Sequence, residues 1–498
     1  MVQTGHFLVM PLLSSDHCRA LPPEVSRPRY DRRALRTGIV HLGLGAFHRA
    51  HQACYTETLV ERGDLRWGIA GVELRRRHTV ERLAAQDHLY SVTERAGDAA
   101  RTRVVGAVHR TLFAPQALAT LLGLIADPSV SIVSLTVTEK GYYRRPGGGG
   151  LDLDDPAIRR DLAQPHAPST TLGVLAAGIR LRAAHAPLSV LSCDNMPSNG
   201  DTLRALLAQY AEQTDGALAR RIRCDVAFPN TMVDRIVPAA TPESLDWVQS
   251  RIGVRDEAAI VCEPFAQWVF EDRFAGARPR WEDAGALVAA DVRPYEKMKL
   301  RLLNGSHSAI AYAGQLRGRR TVSDAMADPL IDALARGVMT RELLATLDVP
   351  AGYDVRAYCA SLIERFRNPA LAHRTAQIAT DGTQKVPLRW LPALAESAAA
   401  GVERPFLERS LAMWLHYVEV ARDESGRPLV LEDPGAQALA ARLHGAPGAT
   451  DAVRAALGLI ASRDAARWPE ALTARVGAHL ETVRTRGTDA LLRPLLDA

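Results

Sequence analysis

Apolar runs punctuated by glycine open the first half of the chain. The stretch GIVHLGLGAFHRAHQACYTETLVERG, beginning at Gly38, passes from an apolar strand through a glycine turn into an amphipathic helix. Strand-like runs recur at WGIAGVEL (Trp67 to Leu74), SIVSLTVTE (Ser131 to Glu139), LSVLSCDN (Leu188 to Asn195) and RCDVAFPN (Arg223 to Asn230). Helical stretches such as PQALATLLGLIAD and TLRALLAQYAEQTDGALARRI separate most of them. Strands alternating with helices predict an α/β fold with a doubly wound parallel sheet. From about Asp291 the pattern changes to long Ala-, Leu- and Arg-rich helical segments, which predicts a mostly α-helical C-terminal domain. The expected division is an irregular lead-in over 1–36, a first domain over 37–290 and a helical domain over 291–498. RRPGGGG at 144–150 reads as a loop inside the first domain, because the alternation resumes after it.

Composition narrows the class. A 47% hydrophobic and 23% charged content over 498 residues is that of a soluble globular protein. Net charge is +5, and arginines alternate with acidic residues instead of forming basic blocks, so nucleic acid is not the expected partner. Six scattered cysteines with no CxxC pair predict reduced thiols in a cytoplasm and no metal site. The N-terminal FLVMPLL is short and lacks a preceding basic region, so neither secretion nor membrane insertion is expected.

The glycine turn suits a dinucleotide. Gly43 and Gly45 stand where a strand ends and a helix begins, so backbone N–H groups of Gly43 to Phe47, through Ala46, would face a pyrophosphate. His48 replaces the third glycine of GxGxxG, and the null alternative is an ordinary tight turn. His48, Arg49 and His51 open the helix, an unfavourable place for cations unless an anion sits there. The first domain is thus expected to be of Rossmann type. At the end of the second strand Glu73 would bond a ribose and favour NAD. Arg75 to Arg77 leave NADP open, or form a solvated face.

Only four of the 61 Lys+Arg residues are lysine: Lys140, Lys297, Lys299 and Lys385. Arginine stays protonated, whereas lysine can be tuned to exchange a proton near neutrality, so lysine survives where chemistry needs it. In KLRLLNGSH, Lys299, Asn304 and His307 fall within an arc of roughly 140° on an α-helix, with Glu296 one turn before. A tunable acid/base, an amide and an imidazole on one face suit carbonyl–alcohol interconversion; a polar helix face is the alternative.

Taken together and in order, GIVHLGLGAFHRAHQACYT, TVTEKGY, LSCDNMPSNG, FPNTMVDRIVP, CEPFAQWVFEDRF and KLRLLNGSH resemble the mannitol dehydrogenase family, the polyol-specific long-chain dehydrogenases. The resemblance spans about residues 36 to 430. It implies a Rossmann-type domain, a helical domain, a site between them and metal-independent hydride transfer. By matching motifs it implies Lys299 as general acid/base, with Asn304 and His307 polarising the reacting oxygen and Asn195 a second amide near it. Asp234 would contact a substrate hydroxyl. Glu139 and Lys140, in a loop ending a parallel strand, would lie near nicotinamide or substrate. The alternatives are that Asn195 caps the next helix and that Asp234 pairs with Arg235.

The segment NPALAHRTAQIATDGTQKVPLR resembles the hexuronate-reductase branch, as do TEKGY and NGSHS. Gln377 stands where the mannitol branch carries arginine. A uronate carboxylate needs cationic partners, for which His373, Arg374, Lys385 and Lys140 are candidates. Against this, Lys385 would contact polyol hydroxyls in every branch, and His373 and Arg374 would be surface residues. The reading is an NAD(P)-dependent reductase of a keto-uronate, D-fructuronate to D-mannonate. The alternatives are a mannitol 2-dehydrogenase or arabinitol dehydrogenase, and a non-catalytic dinucleotide-binding regulator, against which the joint retention of Lys, Asn and His argues. Oligomeric state is open.

Overall fold

The computed structural model describes residues 10–145, 149–461 and 468–496, and the chain forms two compact units, Met1–Arg293 and Pro294–Ala498. Six parallel strands form the main sheet of the first unit. They are β1 (Thr37–Leu42), β2 (Gly68–Glu73), β3 (Val108–Phe113), β4 (Ile132–Leu135), β5 (Leu188–Ser192) and β6 (Val226–Ala227), in the spatial order 3-2-1-4-5-6. This is the doubly wound order of a Rossmann fold, whose topological switch point lies between β1 and β4. Alternation along β1 sends Val40 and Leu42 into a core with Leu121, Leu175 and Leu207 of the helices behind. Ile39 goes into a second core with Leu59, Trp268 and Trp281.

Some elements depart from the pattern. The run SIVSLTVTE leaves the sheet after Thr136, whose N–H still goes to the Leu42 carbonyl at 2.9 Å; a buried carboxylate, Asp194, accepts the N–H groups that follow, Val137 at 3.1 Å and Thr138 at 2.9 Å. The expected strand RCDVAFPN shrinks to Val226–Ala227, since the helix Gly216–Cys224 takes its first residues. Two three-stranded sheets went unread. One joins the hairpin Tyr90–Ala96/Ala99–Val105 to Ile260–Cys262, and the other contains Thr231–Asp234, Gln267–Glu271 and Leu287–Ala289. The lead-in is tied down: Leu13, Cys18, Leu21 and Val25 share a core with Leu89, Val104, Val248 and Ile252. Of the 144–150 loop, residues 146–148 lie outside the described residues, as do 7–9 of FLVMPLL.

The second unit is helical. Every residue of its helix Ser306–Leu316 is buried, which small side chains at Ser306, Ala309, Ala311, Ala313 and Gly314 permit. The helices Pro329–Arg336, Thr375–Ala379 and Pro405–Val420 pack around it, and Glu470–Leu492 lies against the last of these. Among the described residues no helix is long and apolar enough to cross a membrane. The cysteines are free, and all but Cys224 are buried.

Candidate active site

The candidate residues fall into two sets, one on each unit. In the first unit most of them follow the C-terminal ends of β1, β4 and β5, with Glu73 at the end of β2 and Asp234 at the end of a strand in another sheet. Gly43 has φ 94°, and a Cβ there would stand 2.1 Å from the carbonyl oxygen of Thr136, so only glycine fits the turn. Gly45 is different: its φ is −73° and a Cβ would meet nothing within 4 Å. The outer side of the turn is therefore open to close approach, as a dinucleotide pyrophosphate requires. His41 holds the turn from inside, its Nε2 3.1 Å from the Gly43 carbonyl oxygen and 3.0 Å from Thr136 Oγ1. Burial pushes His41 down to about 3, keeping the imidazole neutral.

The basic side chains after the turn point inward. The His48 ring stacks on His41 at 3.3 Å, and burial holds it well below the ordinary imidazole range. Arg49 donates to the Ala258 carbonyl at 2.6 Å and lies over the Tyr90 ring; His51 bonds the Gln267 carbonyl oxygen at 2.9 Å. An anion at this turn would therefore meet the backbone of Ala46 to Arg49, not the side-chain charge expected of them. Phe47 is half-buried and stacks on His51. Glu73, half-buried at the end of β2, is raised by burial, while Arg49 and Arg76 pull it back. Arg75 to Arg77 are exposed and Arg77 pairs with Glu81 at 2.7 Å, as a solvated face would.

Asp194 holds the neighbouring loop. Besides the two N–H bonds it accepts from the Tyr142 hydroxyl at 2.8 Å, and it fixes Thr138 at φ 65°, ψ 162°, a conformation costly for a residue with a Cβ. Glu139, Lys140 and Asn195 are all exposed beside it. Ser198, not Asn195, takes the N-cap position of the following helix. Asp234 is buried at the end of its strand, while the Arg235 guanidinium goes to Glu94 at 2.6 Å and to the carbonyls of Ala50 and Glu263.

In the second unit the expected α-helix is interrupted. Residues Lys299–Gly305 form a π-helix, and the α-helix resumes at Ser306. A π-turn closes from i to i+5, so Lys299 and Asn304 come closer to one face than the roughly 140° separation of an α-helix. Lys299 is buried and Asn304 half-buried. Lys297 is half-buried and makes a loose pair to Asp348 at 3.7 Å. His307 is buried against Phe366, with its Nε2 making no hydrogen bond among the described residues. Burial lowers its imidazole well below the ordinary range, and the surrounding charges His373, Arg389, Arg365 and Lys385 act in the same direction. The His373 ring lies 5.1 Å from His307, and Lys385 donates to Thr380 Oγ1 at 3.0 Å. Arg374 is exposed at the N-cap of Thr375–Ala379. Arg365 and Arg389 went unread, since nothing in an arginine-rich sequence separates them from surface cations. Asp194 was missed although it adjoins Asn195. Among the described residues no three His, Cys, Asp or Glu side chains gather as a metal site would require.

Residues 37–283 match the mannitol dehydrogenase Rossmann domain and residues 291–482 the mannitol dehydrogenase C-terminal domain. The chain belongs to the mannitol dehydrogenase family. It is an oxidoreductase of that family, 43% identical over 444 residues to the D-mannonate oxidoreductase of Escherichia coli (strain K12), covering 87% of this chain and 90% of the relative. The mannitol 2-dehydrogenase of Pyrenophora tritici-repentis (strain Pt-1C-BFP) is 39% identical over 432 residues, covering 85% and 76%. The solved Pseudomonas fluorescens mannitol 2-dehydrogenase, a ternary complex with NAD and D-mannitol, superposes with a TM-score of 0.85 at 36% identity, covering 97% of this chain and 99% of that one.

Proposed function

We propose that this family member is an NAD-dependent reductase of a keto-uronate, converting D-fructuronate to D-mannonate. The observation that carries the reading is the cationic surround of His307: Arg365, Lys385 and Arg389 make a setting that suits an anionic substrate group better than hydroxyls alone. Similarity to a D-mannonate oxidoreductase supports it, and the NAD-bound mannitol 2-dehydrogenase supports the cofactor.

The Gly43–Gly45 turn would hold the pyrophosphate and Glu73 the adenosine ribose. The nicotinamide, when bound, supplies the hydride. Protonated Lys299 gives its proton to the substrate oxygen as the carbonyl becomes an alcohol, and takes it back in the reverse direction. The neutral imidazole of His307 offers its unused Nε2 to that oxygen as a donor, and the Asn304 amide, brought closer to the face of Lys299 by the π-turn, offers a second. Asn195 would add a third and Asp234 would bind a hydroxyl.

One observation favours a second reading, a mannitol 2-dehydrogenase acting on an uncharged polyol: Arg374, an expected carboxylate partner, is exposed. The decay of NADH absorbance with fructuronate, tagaturonate, fructose and xylulose, assayed side by side, tests both. Fructuronate is expected to give the highest kcat/KM. Fructose outperforming it overturns the uronate reading, and cofactor binding without turnover of any substrate turns the protein into a regulator.

A further inference from the structure

The π-turn that carries Lys299 and Asn304 is tied from outside by Trp390 and by Arg389, which also stands in the cationic surround of His307. A helix relaxes to α-geometry unless something holds the wider turn, and π-turns persist chiefly where function uses them. Trp390, fully buried at the junction of the helices Gly382–Arg389 and Leu391–Ala399, donates its indole N–H to the Gly305 carbonyl at 3.0 Å. Arg389 donates through Nη1 to the Asn304 carbonyl at 3.2 Å and to Ser308 Oγ at 2.7 Å. These bonds fall on the two residues where the π-turn passes into the α-helix, Asn304 and Gly305. Arg301, within the turn, reaches the same helix pair through Glu396 at 2.6 Å and also donates to the Thr346 carbonyl at 2.8 Å. A second π-turn, Gly337–Leu343, packs on the first, and Leu343 Cδ1 would lie 2.8 Å from a Cβ at residue 305. The turn thus has partners on both sides, and Gly305 is the residue that lets them close in.

We propose that Arg389 and Trp390 are positioning residues that clamp the Lys299–Gly305 turn in π-geometry and so keep Lys299 close to the face of Asn304, an inference that rests on reading Lys299, Asn304 and His307 as the working set. Without the clamp the turn shortens toward i→i+4 bonding, and Lys299 rotates away from the amide. Displacements of about 1 Å cost on the order of a hundredfold in rate.

The chain's four lysines make the test direct. Protein labelled at lysine Cε gives one resonance per lysine, with Lys299 assigned through Lys299→Arg. In Arg389→Met and Trp390→Phe the Lys299 resonance is expected to move while those of Lys140 and Lys297 stay. The kcat should fall ten- to a hundredfold with KM for the cofactor unchanged, and Arg389→Lys should recover part of the rate. An unmoved Lys299 resonance in the folded variants overturns the proposal, as does a moved one with unchanged kcat. Arg389 is half-buried, so its variants carry the test if Trp390→Phe does not fold. Wild-type protein that turns over no ketose, keto-uronate or polyol defeats the functional reading, and the resonance then judges the clamp alone.

Discussion

The two units aim their candidate groups by different means. In the first the backbone is bent: Gly43 at φ 94°, Thr138 at φ 65° and Ser198 at φ 44° stand at or after strand ends. Buried side chains, His41 and Asp194, hold the first two of these bends. In the second Lys299, Asn304 and His307 share one helix, and the helix is widened by a π-turn. The contrast follows from hydrogen-bond accounting. A strand end has backbone groups left to spend, so a loop can be pulled into an unusual conformation by one carboxylate. A helix has already spent its own and can re-aim a side chain only by changing its turn. Strain is therefore stored in single residues of the first unit and in a whole turn of the second.

The largest effect is expected at Lys299. Lys299→Ala should lower kcat by about 10²–10⁴-fold, the range of general acid/base catalysis, with cofactor affinity nearly intact. Lys299→Arg should be almost as poor, because a guanidinium does not release its proton. An arginine variant with near-normal rate at neutral pH removes proton transfer from this helix. Next in size is the substrate carboxylate. Lys385→Met should cost on the order of 2–5 kcal/mol in kcat/KM for fructuronate by leaving a desolvated charge unpaired, and far less for fructose. Arg374→Met should cost less than Lys385→Met, since Arg374 is exposed. Equal losses on both substrates would assign Lys385 to hydroxyl binding.

What could be read in advance divides along the same line. The doubly wound sheet was legible because its strands are short apolar runs with helices between, and so was the glycine turn between β1 and the helix after it. The inward turn of His48 and Arg49 was not, because a one-dimensional pattern does not show that Ala258 and His41 wait behind them. Nor was the π-turn, since KLRLLNGS has the composition of any helix and what accompanies its widening lies some 85 residues on, at Arg389 and Trp390. The strand Ser131–Glu139 was read too long for a related reason: the carboxylate that takes the N–H groups of Val137 and Thr138 belongs to Asp194.

Smaller effects are expected at the two glycines of the turn after β1. Gly43→Ala meets the Thr136 carbonyl at 2.1 Å and sits at positive φ, so it should destabilise the protein by about 1–3 kcal/mol or fail to fold. Gly45→Ala has room and an ordinary φ, so stability should stay within about 0.5 kcal/mol. Its methyl, however, projects where a pyrophosphate would approach, and NADH affinity should fall on the order of tenfold. Isothermal titration with NADH beside thermal melts separates the two effects. Unchanged NADH affinity in Gly45→Ala would move the cofactor away from this turn.

The smallest effect comes from a matched pair of buried glutamates, Glu57 in the first unit and Glu342 in the second π-turn, each raised by burial to about 7. Their bonding differs. Glu342 takes the Phe406 N–H on one oxygen at 2.8 Å and the Leu407 N–H on the other at 2.7 Å. An amide cannot accept on both sides, so Glu342→Gln should lose about 1–3 kcal/mol at every pH. Glu57 takes the N–H groups of Gly106 and Ala107 on one oxygen, at 2.8 and 2.6 Å, and meets the Tyr30 hydroxyl with both oxygens. A protonated carboxyl, or the amide of Gln, keeps the N–H bonds and turns its own donor to Tyr30. Because the folded value of about 7 lies above the ordinary 4.5, the folded protein holds a proton the unfolded chain has released between them. The resulting stability is complete below about 4.5 and is lost as pH rises through about 7. Glu57→Gln should therefore melt with wild type at pH 5 and slightly above it at pH 8, by about 1 kcal/mol, since the N–H donors offset part of the burial cost of the charge. Melting curves of wild type and both variants at the two pH values decide it. A Glu57→Gln variant less stable than wild type at pH 8 would mean that its carboxylate is held as a charge.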